Sequence, residues 1–465
     1  MTKMKKMLTW CITVAMLAVS LCFPLHASAL TEGDWEFQLL DSEVMITGYL
    51  GEGGDVVIPD TIYGCPVTSI SGYDIFSRVT EITFPMTVTK IPRYLFNNSY
   101  STNKTLKKVV LPEGVQVIEA NAFKSCAELT DITLPSTLNE IKGAWYEGAF
   151  QGCISLENIN FPENITKIGD YAFHGAGLKK VDLSKAAKLE VVGSSAFNQC
   201  TNLQAVTFGN GLKEIRNFAF GGCILLKDIT FSNNLEHIAT YAFSDCDSLE
   251  TVILPVSLKT MGVRCFIDCS NLREITVPYG VTTIGEGAFQ SCENLRSVYI
   301  PDTVVRLEGA SPTLDSKNAI IYCTADSAMA KFCKTKKISY LTDSSVNSGI
   351  TVLYNGTRIS FHSYGQNPEL LNSRTLVPLR SIFEAMSATV TWDAENRTAI
   401  ATRKGITVKI KIDANAMDKN GMSIPMDVPA QLINDRTMVP VRVIAEAFGA
   451  DVEWNGNGRT VLINE

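Results

Sequence analysis

Between Val56 and Val305 the apolar positions follow one pattern that returns at nearly constant spacing. Counted from Phe243, it runs Cys246, Leu249, Val252, Leu254, Pro255, Leu258 and Met261, with Gly262 ahead of the next phenylalanine, Phe266. The unit from Phe289 repeats it as Cys292, Leu295, Val298, Ile300, Pro301, Val304 and Leu307, and the units from Phe123 and Phe150 fit equally well. The apolar-x-apolar step at Val252 and Leu254 has the two-residue period of a strand with one buried face. The proline after it has no N–H for a ladder and ends the strand. Leu258 and Met261 stand three apart and lead toward the next phenylalanine, which predicts a turn of 3₁₀ or α-helix on the other side of the unit.

Ten phenylalanines mark these units: Phe76, Phe96, Phe123, Phe150, Phe173, Phe197, Phe220, Phe243, Phe266 and Phe289. The step from Phe173 to Phe197 is 24 residues, and each step from Phe197 to Phe289 is 23. Such a period means one structural unit per repeat, apolar on its inside, which only its stacked neighbours can cover. The expected body is an extended surface, suited to binding before catalysis.

The consensus Leu-x-x-Ile-x-Leu-Pro-x-x-Leu-x-x-Ile-x-x-x-Ala-Phe-x-x-Cys resembles the BspA-type (Treponema pallidum-type) leucine-rich repeat. The unit at Phe173 departs from it, with Ala176 in place of cysteine and Ser184 at the strand end without proline. The units at Phe76 and Phe96 lack the cysteine. The resemblance implies a leucine-rich-repeat solenoid of short parallel strands and about ten coils, spanning residues 71–318. Ile46-Thr47-Gly48-Tyr49 and Pro66 to Ile70 resemble the family's N-terminal β cap, placed at residues 30–70, and residues 319–341 resemble its C-terminal cap.

Seven cysteines share one repeat position: Cys126, Cys153, Cys200, Cys223, Cys246, Cys269 and Cys292. Stacked coils would set them about 4.8 Å apart, but equivalent side chains point the same way, which disfavours disulfides. Buried thiols acting as small hydrophobes are expected. No CxxC pair occurs and histidines are scarce, so a metal site is disfavoured. Cys265 reads as core, and a disulfide between Cys323 and Cys333 stays open.

Residues 342–349 (TDSSVNSG) read as a linker. Beyond them a second repeat begins, with Arg374-Thr-Leu-Val-Pro-Leu-Arg returning 62 residues later as Arg436-Thr-Met-Val-Pro-Val-Arg. Each half predicts a strand into Val-Pro, a helix (about Leu379 to Met386 and Val441 to Phe448) with proline near its start, and two further strands around a turn. Residues 350–465 thereby resemble the copper amine oxidase N-terminal-like (stalk) domain common in secreted proteins of Gram-positive bacteria. This implies a smaller α+β domain built from two repeats. The oxidase chemistry belongs to a separate catalytic domain with copper-binding histidines; here only His362 falls in the module, so no copper or other cofactor is implied. Arg380 with Glu384, and Arg442 with Glu446, suit helical i,i+4 ion pairs, with ligand binding as the alternative. Trp392 and Trp454 read as core or edge packing before a sugar platform.

Residues 1–29 read as a secretory signal peptide: Lys3, Lys5 and Lys6, an apolar run from Leu8 to Leu21, then Ala27-Ser28-Ala29. An uncleaved anchor is the alternative, disfavoured by the short run. Cleavage leaves 38 basic against 48 acidic residues, net −10, and lowers thirteen cysteines to eleven. That charge argues against nucleic-acid binding. No later stretch is long and apolar enough to span a membrane. HExxH, GxSxG and GxxxxGK[ST] motifs are absent from the sequence, and a His237–Cys246 dyad is disfavoured because Cys246 belongs to the repeated column. No enzymatic activity is expected.

The outward positions of the repeat strands form columns, and the candidate partner-binding face is Lys108, Thr133, Asn160, Asp182, Thr207, Thr230, Thr251, Thr276 and Tyr299. The simpler alternative is a solvated face chosen for β propensity. The expected function is a secreted, cell-surface-associated, adhesin-like protein whose solenoid binds an extracellular protein or a cell-wall or host glycan. One alternative makes the stalk domain a wall-glycan binder with the repeats as spacer; a weaker one is an unrecognised extracellular hydrolase. The sequence carries no LPxTG-type motif and no C-terminal hydrophobic tail, so the expectation is non-covalent retention or release.

Overall fold

The structure is a computed structural model that describes residues 30–96, 103–307, 319–347, 349–361, 366–456 and 458–465. The expected signal peptide, Cys11, Cys22 and His362 lie outside the described residues. The chain forms a parallel-stranded solenoid followed by a smaller module of sheets and two short helices.

The phenylalanine period becomes a column of rings. From Phe76 to Phe289 each ring faces the next, with centroids between 5.0 Å (Phe150–Phe173) and 6.1 Å (Phe266–Phe289). Interplanar angles fall as low as 2° between Phe173 and Phe197. All ten rings are buried. Burying one phenylalanine is worth about 1.5–3 kcal/mol, and ring contacts add about 0.5–1.5 kcal/mol each. The column is thus the spine of the solenoid.

The cysteine column runs beside it, and all seven thiols are free and buried. From Cys153 on, each Sγ donates to a phenylalanine carbonyl of the preceding coil: Cys246 Sγ to Phe220 O at 3.3 Å and Cys269 Sγ to Phe243 O at 3.2 Å, for example. A thiol therefore fills a small space and supplies a weak donor to a buried carbonyl, which alanine cannot do. Burial pushes the Cys200 thiol up to about 12. Cys265, Cys323 and Cys333 are also free and buried.

The far side of each coil differs from the 3₁₀ or helical turn predicted. Two-residue strands such as Lys90–Ile91, Thr260–Met261 and Arg306–Leu307 pair in parallel into one ten-stranded sheet. Three-residue spacing suited a helical turn, but each coil there has only room for two extended residues before it must turn. That turn packs against its neighbour: a Cβ on Gly262 would lie 2.5 Å from the Ala239 carbonyl carbon.

Residues 30–70 hold a five-stranded sheet at the solenoid's start. At its end, Ile320–Cys323 and Tyr340–Thr342 extend a parallel sheet, and helix α1 (Ala328–Lys336) covers them, N-capped by Ser327. Residues 342–349, expected to be a polar linker, include one 3₁₀ turn, Ser344–Asn347, with Asp343, Ser345 and Val346 buried. Their polar groups serve as caps: Asp343 accepts from Ser345 N at 2.8 Å, and Asn347 donates to Asp302 Oδ2 at 2.8 Å.

In the C-terminal module the duplicated motif pairs with itself. Strands Arg374–Pro378 and Arg436–Pro440 run antiparallel, with Val377 opposite Val439 and Leu376 opposite Pro440. These pairs are symmetric under the 62-residue offset, so a local two-fold axis passes through the Val377–Val439 pair. Helices α2 (Leu379–Ala385) and α3 (Val441–Ala447) start at the motif prolines, and Phe383 meets Phe448 edge-on at 5.3 Å.

Candidate functional site

The outward strand columns stand in register. Lys108 is opposite Asp131 and Val110 opposite Thr133; Asp182, Thr207 and Thr230 align, as do Thr276 and Tyr299. They lie on three successive parallel sheets rather than one. One break falls at Asn158 to Asn160, where no strand forms; asparagine on both outward positions has low β propensity.

Along this face Thr133, Asn160, Asp182 and Thr230 are exposed, while Lys108 and Thr207 are half-buried. The charges on it are spoken for by neighbours. Lys108 is paired with Glu81 of the preceding coil. Asp182 accepts from Ser184 N at 3.1 Å and lies 3.6 Å from Lys180 Nζ; Ser184 first, then Lys180, holds its carboxyl below the usual range despite some burial. What the face offers is a run of threonine and asparagine side chains.

The last part of the predicted face is different. Tyr299 is only 5% exposed, because the C-terminal module seats on it. The Arg358 guanidinium lies over the Tyr299 ring, 4.4 Å from Cζ to centroid. It donates to Thr276 Oγ1 at 3.1 Å, Thr351 Oγ1 at 3.3 Å and Ser345 O at 3.1 Å. Tyr322 stacks on Tyr299 from the next strand at 4.6 Å. Gly356 approaches Thr251, and a Cβ on Gly458 would lie 2.3 Å from Ile253 Cγ2. Thr276 and Tyr299 therefore serve a joint within the chain, and Thr251 lies at its rim. Burial raises the Glu274 carboxyl and pushes the Tyr299 phenol up to about 12, with Arg358 opposing both. Arg358 itself had no signal in the sequence: it follows Thr357 on a two-residue strand that reads as polar.

The module has its own concavity. A groove of about 540 Å³ is lined by Arg374, Asp427, Arg442, Glu446, Glu453 and Trp454 over an apolar floor that includes Val441, Val452 and Val461. Self-pairing of the motif places Arg374 of one half near Arg442 of the other. Arg374 is held by Asp427 at 2.7 Å. No ion pair joins Arg442 to Glu446 among the described residues, contrary to the helical pairing expected, and both line the groove. Trp392 and Trp454 are exposed, 46% and 38%, so neither is core.

His237 bonds Thr260 Oγ1 through Nδ1 at 2.8 Å, while Cys246 is buried against Phe220 O. The two have separate partners and form no dyad. Among the described residues no group of three or more His, Cys, Asp or Glu is placed to hold a metal ion. No described helix is long and apolar enough to cross a membrane.

Stacked parallel coils with an apolar spine define a leucine-rich-repeat solenoid. Residues 68–203 and 190–311 match the family model described as BspA type leucine rich repeat region, together more than half of the chain. The chain belongs to the BspA-type leucine-rich-repeat family. Residues 353–463 match the model described as copper amine oxidase N-terminal domain. Three solved structures are similar. One is a leucine rich cell surface protein from Faecalibacterium prausnitzii A2-165, with 24% identity over 62% of this chain and 96% of that one, TM-score 0.35. Another is the T. pallidum leucine rich repeat protein TpLRR, with 25% identity, 53% and 91% coverage, TM-score 0.34. The third is the pneumococcal vaccine antigen PcpA, with 15% identity, 68% and 99% coverage, TM-score 0.37. No protein of curated function matches the chain.

Proposed function

We propose that this is a secreted, non-enzymatic surface protein that binds an extracellular partner through the open stretch of its strand face, from Lys108 to Thr230. The observation that carries the reading is the contrast along that face. Its last coils are covered by the chain's own module at Thr276 and Tyr299, whereas Thr133, Asp182 and Thr230 stay exposed on in-register strands, with Asn160 exposed at the break between them. A stacked repeat gives such a face length and curvature without depth, the shape that fits a macromolecule better than a small metabolite. The module then fixes how the open stretch is presented.

The test is binding of the chain to immobilised extracellular-matrix proteins and to purified cell-wall sacculi. A triple variant, Thr133→Arg, Asn160→Arg and Thr207→Arg, should lose binding by at least about tenfold with an unchanged melting temperature. Undiminished binding by that variant would place the partner elsewhere.

One observation favours a second reading, in which the module itself binds a wall glycan and the repeats act as spacer. The groove at Arg374, Arg442 and Trp454 has a volume in the range of ligand sites. Trp454→Ala should then abolish sedimentation with sacculi while the triple strand-face variant leaves it intact.

A further inference from the structure

Phe123 and Phe150 stand 27 residues apart, four more than the regular 23, as do Phe96 and Phe123 before them. Part of this coil is a small hairpin, in which Gly143 pairs with Gly148 and Ala144 with Glu147. Its tip is Trp145-Tyr146. Insertions in repeat proteins map to loops on one face, often a binding face. This one follows Ile141, so it stands on a different side of the coil from the threonine columns.

Trp145 is 75% exposed and Tyr146 54%, which stability alone does not favour for large apolar rings. Nor is the hairpin loose. Cβ atoms on Gly143 and Gly148 would each lie 1.8 Å from backbone oxygens of the next coil, Asp170 O and Tyr171 O, so the hairpin lies flush against it. Lys124 Nζ donates to Tyr146 O at 2.8 Å. Glu147 accepts from the Tyr94 hydroxyl at 3.2 Å and pairs with Arg93. The rings brace one another: Trp145 meets Tyr146 at 5.2 Å and Tyr171 at 5.9 Å, and Tyr146 meets Tyr171 at 4.9 Å. Along the same edge Tyr94 stacks on Tyr73 at 5.2 Å. The result is a rigid aromatic shelf that continues over several coils.

We propose that this shelf, centred on Trp145 and Tyr146, is a binding site for an uncharged polysaccharide chain. The rings offer flat apolar faces to the C–H faces of sugar rings, and the rim supplies hydroxyl, amide and charged groups for sugar hydroxyls. Arg93 is matched by Glu147 and the Lys124 ammonium is engaged by the Tyr146 carbonyl, so no cluster of one charge sign selects an ionic ligand. Trp145 and Tyr146 expose on the order of 300 Å², well below the roughly 800 Å² per partner of a stable protein interface. The continuation through Tyr94 and Tyr73 favours a chain of sugar units over a single one. Because the braces come from backbone and neighbouring coils, the site is ordered before the ligand arrives, which lowers the entropic cost of binding.

The experiment is native affinity electrophoresis of the chain in gels containing galactomannan, mixed-linkage β-glucan or xylan, with polygalacturonate as the charged comparison. The result expected is retardation by at least one neutral polymer, weakened about tenfold or more in Trp145→Ala and within about threefold of the parent in Trp145→Phe. Melting temperature controls for folding, and the triple strand-face variant should be retarded like the parent, which separates this site from the one above. Absence of retardation by every neutral polymer, retardation by polygalacturonate alone, or full retardation of Trp145→Ala would each overturn the proposal.

Discussion

The solenoid and the C-terminal module are both built by internal repetition, yet the repeats are related differently. In the solenoid the operation is a translation: each Phe, Cys and outward threonine finds its equivalent in the next coil, so columns form and the body is open-ended. In the module the operation is a local two-fold: Arg374–Pro378 pairs antiparallel with Arg436–Pro440, and the result is a closed body with a groove. Translation makes surface; rotation makes enclosure. The two meet where Arg358 of the module stops the strand columns at Thr276 and Tyr299.

The largest effect is expected at the spine. Phe220→Ala removes a ring stacked at 5.2 and 5.3 Å on both sides, and should destabilise the solenoid by about 3–5 kcal/mol. Urea unfolding followed by hydrogen exchange should show the loss spreading to adjacent coils while the module's exchange stays as before.

Alkaline pH should separate the two bodies next. Every cysteine precedes residue 334, so the module has none. Burial raises the thiols of Cys126, Cys153, Cys200, Cys223, Cys246 and Cys269, that of Cys200 up to about 12 from an ordinary 9.0. Between those values the native state keeps protons that the unfolded chain releases. Stability contributed by these thiols is therefore complete below pH 9 and falls as pH rises toward 12, by about 1.4 kcal/mol per pH unit for each thiol affected. The solenoid's urea midpoint should drop between pH 8 and about 10.5, and combined Cys→Ala changes in the column should flatten that fall. A pH-independent midpoint would mean that the thiols are not buried as described.

At the joint, Arg358→Met deletes the hydrogen bond to Thr276 and the cation–π contact with Tyr299 that cross to the solenoid, worth roughly 2–3 kcal/mol of docking. Limited proteolysis should then cut near residues 343–349, and the melting of the solenoid itself should hardly move. The smallest effect belongs to the ion pairs between coils. Burial opposes ionisation of Glu119, but Lys90 and Lys142 hold its carboxyl below the ordinary range. Both lysines are well exposed, so Glu119→Gln should cost no more than about 1 kcal/mol in chemical denaturation.

Much of this was legible from residue spacing. The phenylalanine and cysteine columns, the in-register strands, and the helices starting at Pro378 and Pro440 all follow from periodicity and proline chemistry. At Lys90–Ile91 and Thr260–Met261 the spacing predicts helical turns where strands form, because a three-residue spacing does not separate a turn from a short strand that pairs only with other coils. The joint was hidden for a stronger reason. Thr276 and Tyr299 fit the outward column pattern perfectly well, and nothing local tells an outward residue that another part of the chain will cover it. Trp145 did leave a signal, the long step to Phe150, whose meaning lies in the hairpin that fills it.

The most direct test of the central claim is a single-arginine scan along one column, at Thr133, Asn160, Thr207, Thr230 and Thr276, reading partner binding and thermal unfolding together. Arginine at the first four positions should lower binding and leave unfolding unchanged, whereas Thr276→Arg should loosen the module and leave binding in place. Loss of binding at Thr276 with no effect at Thr133 to Thr230 would contradict that claim.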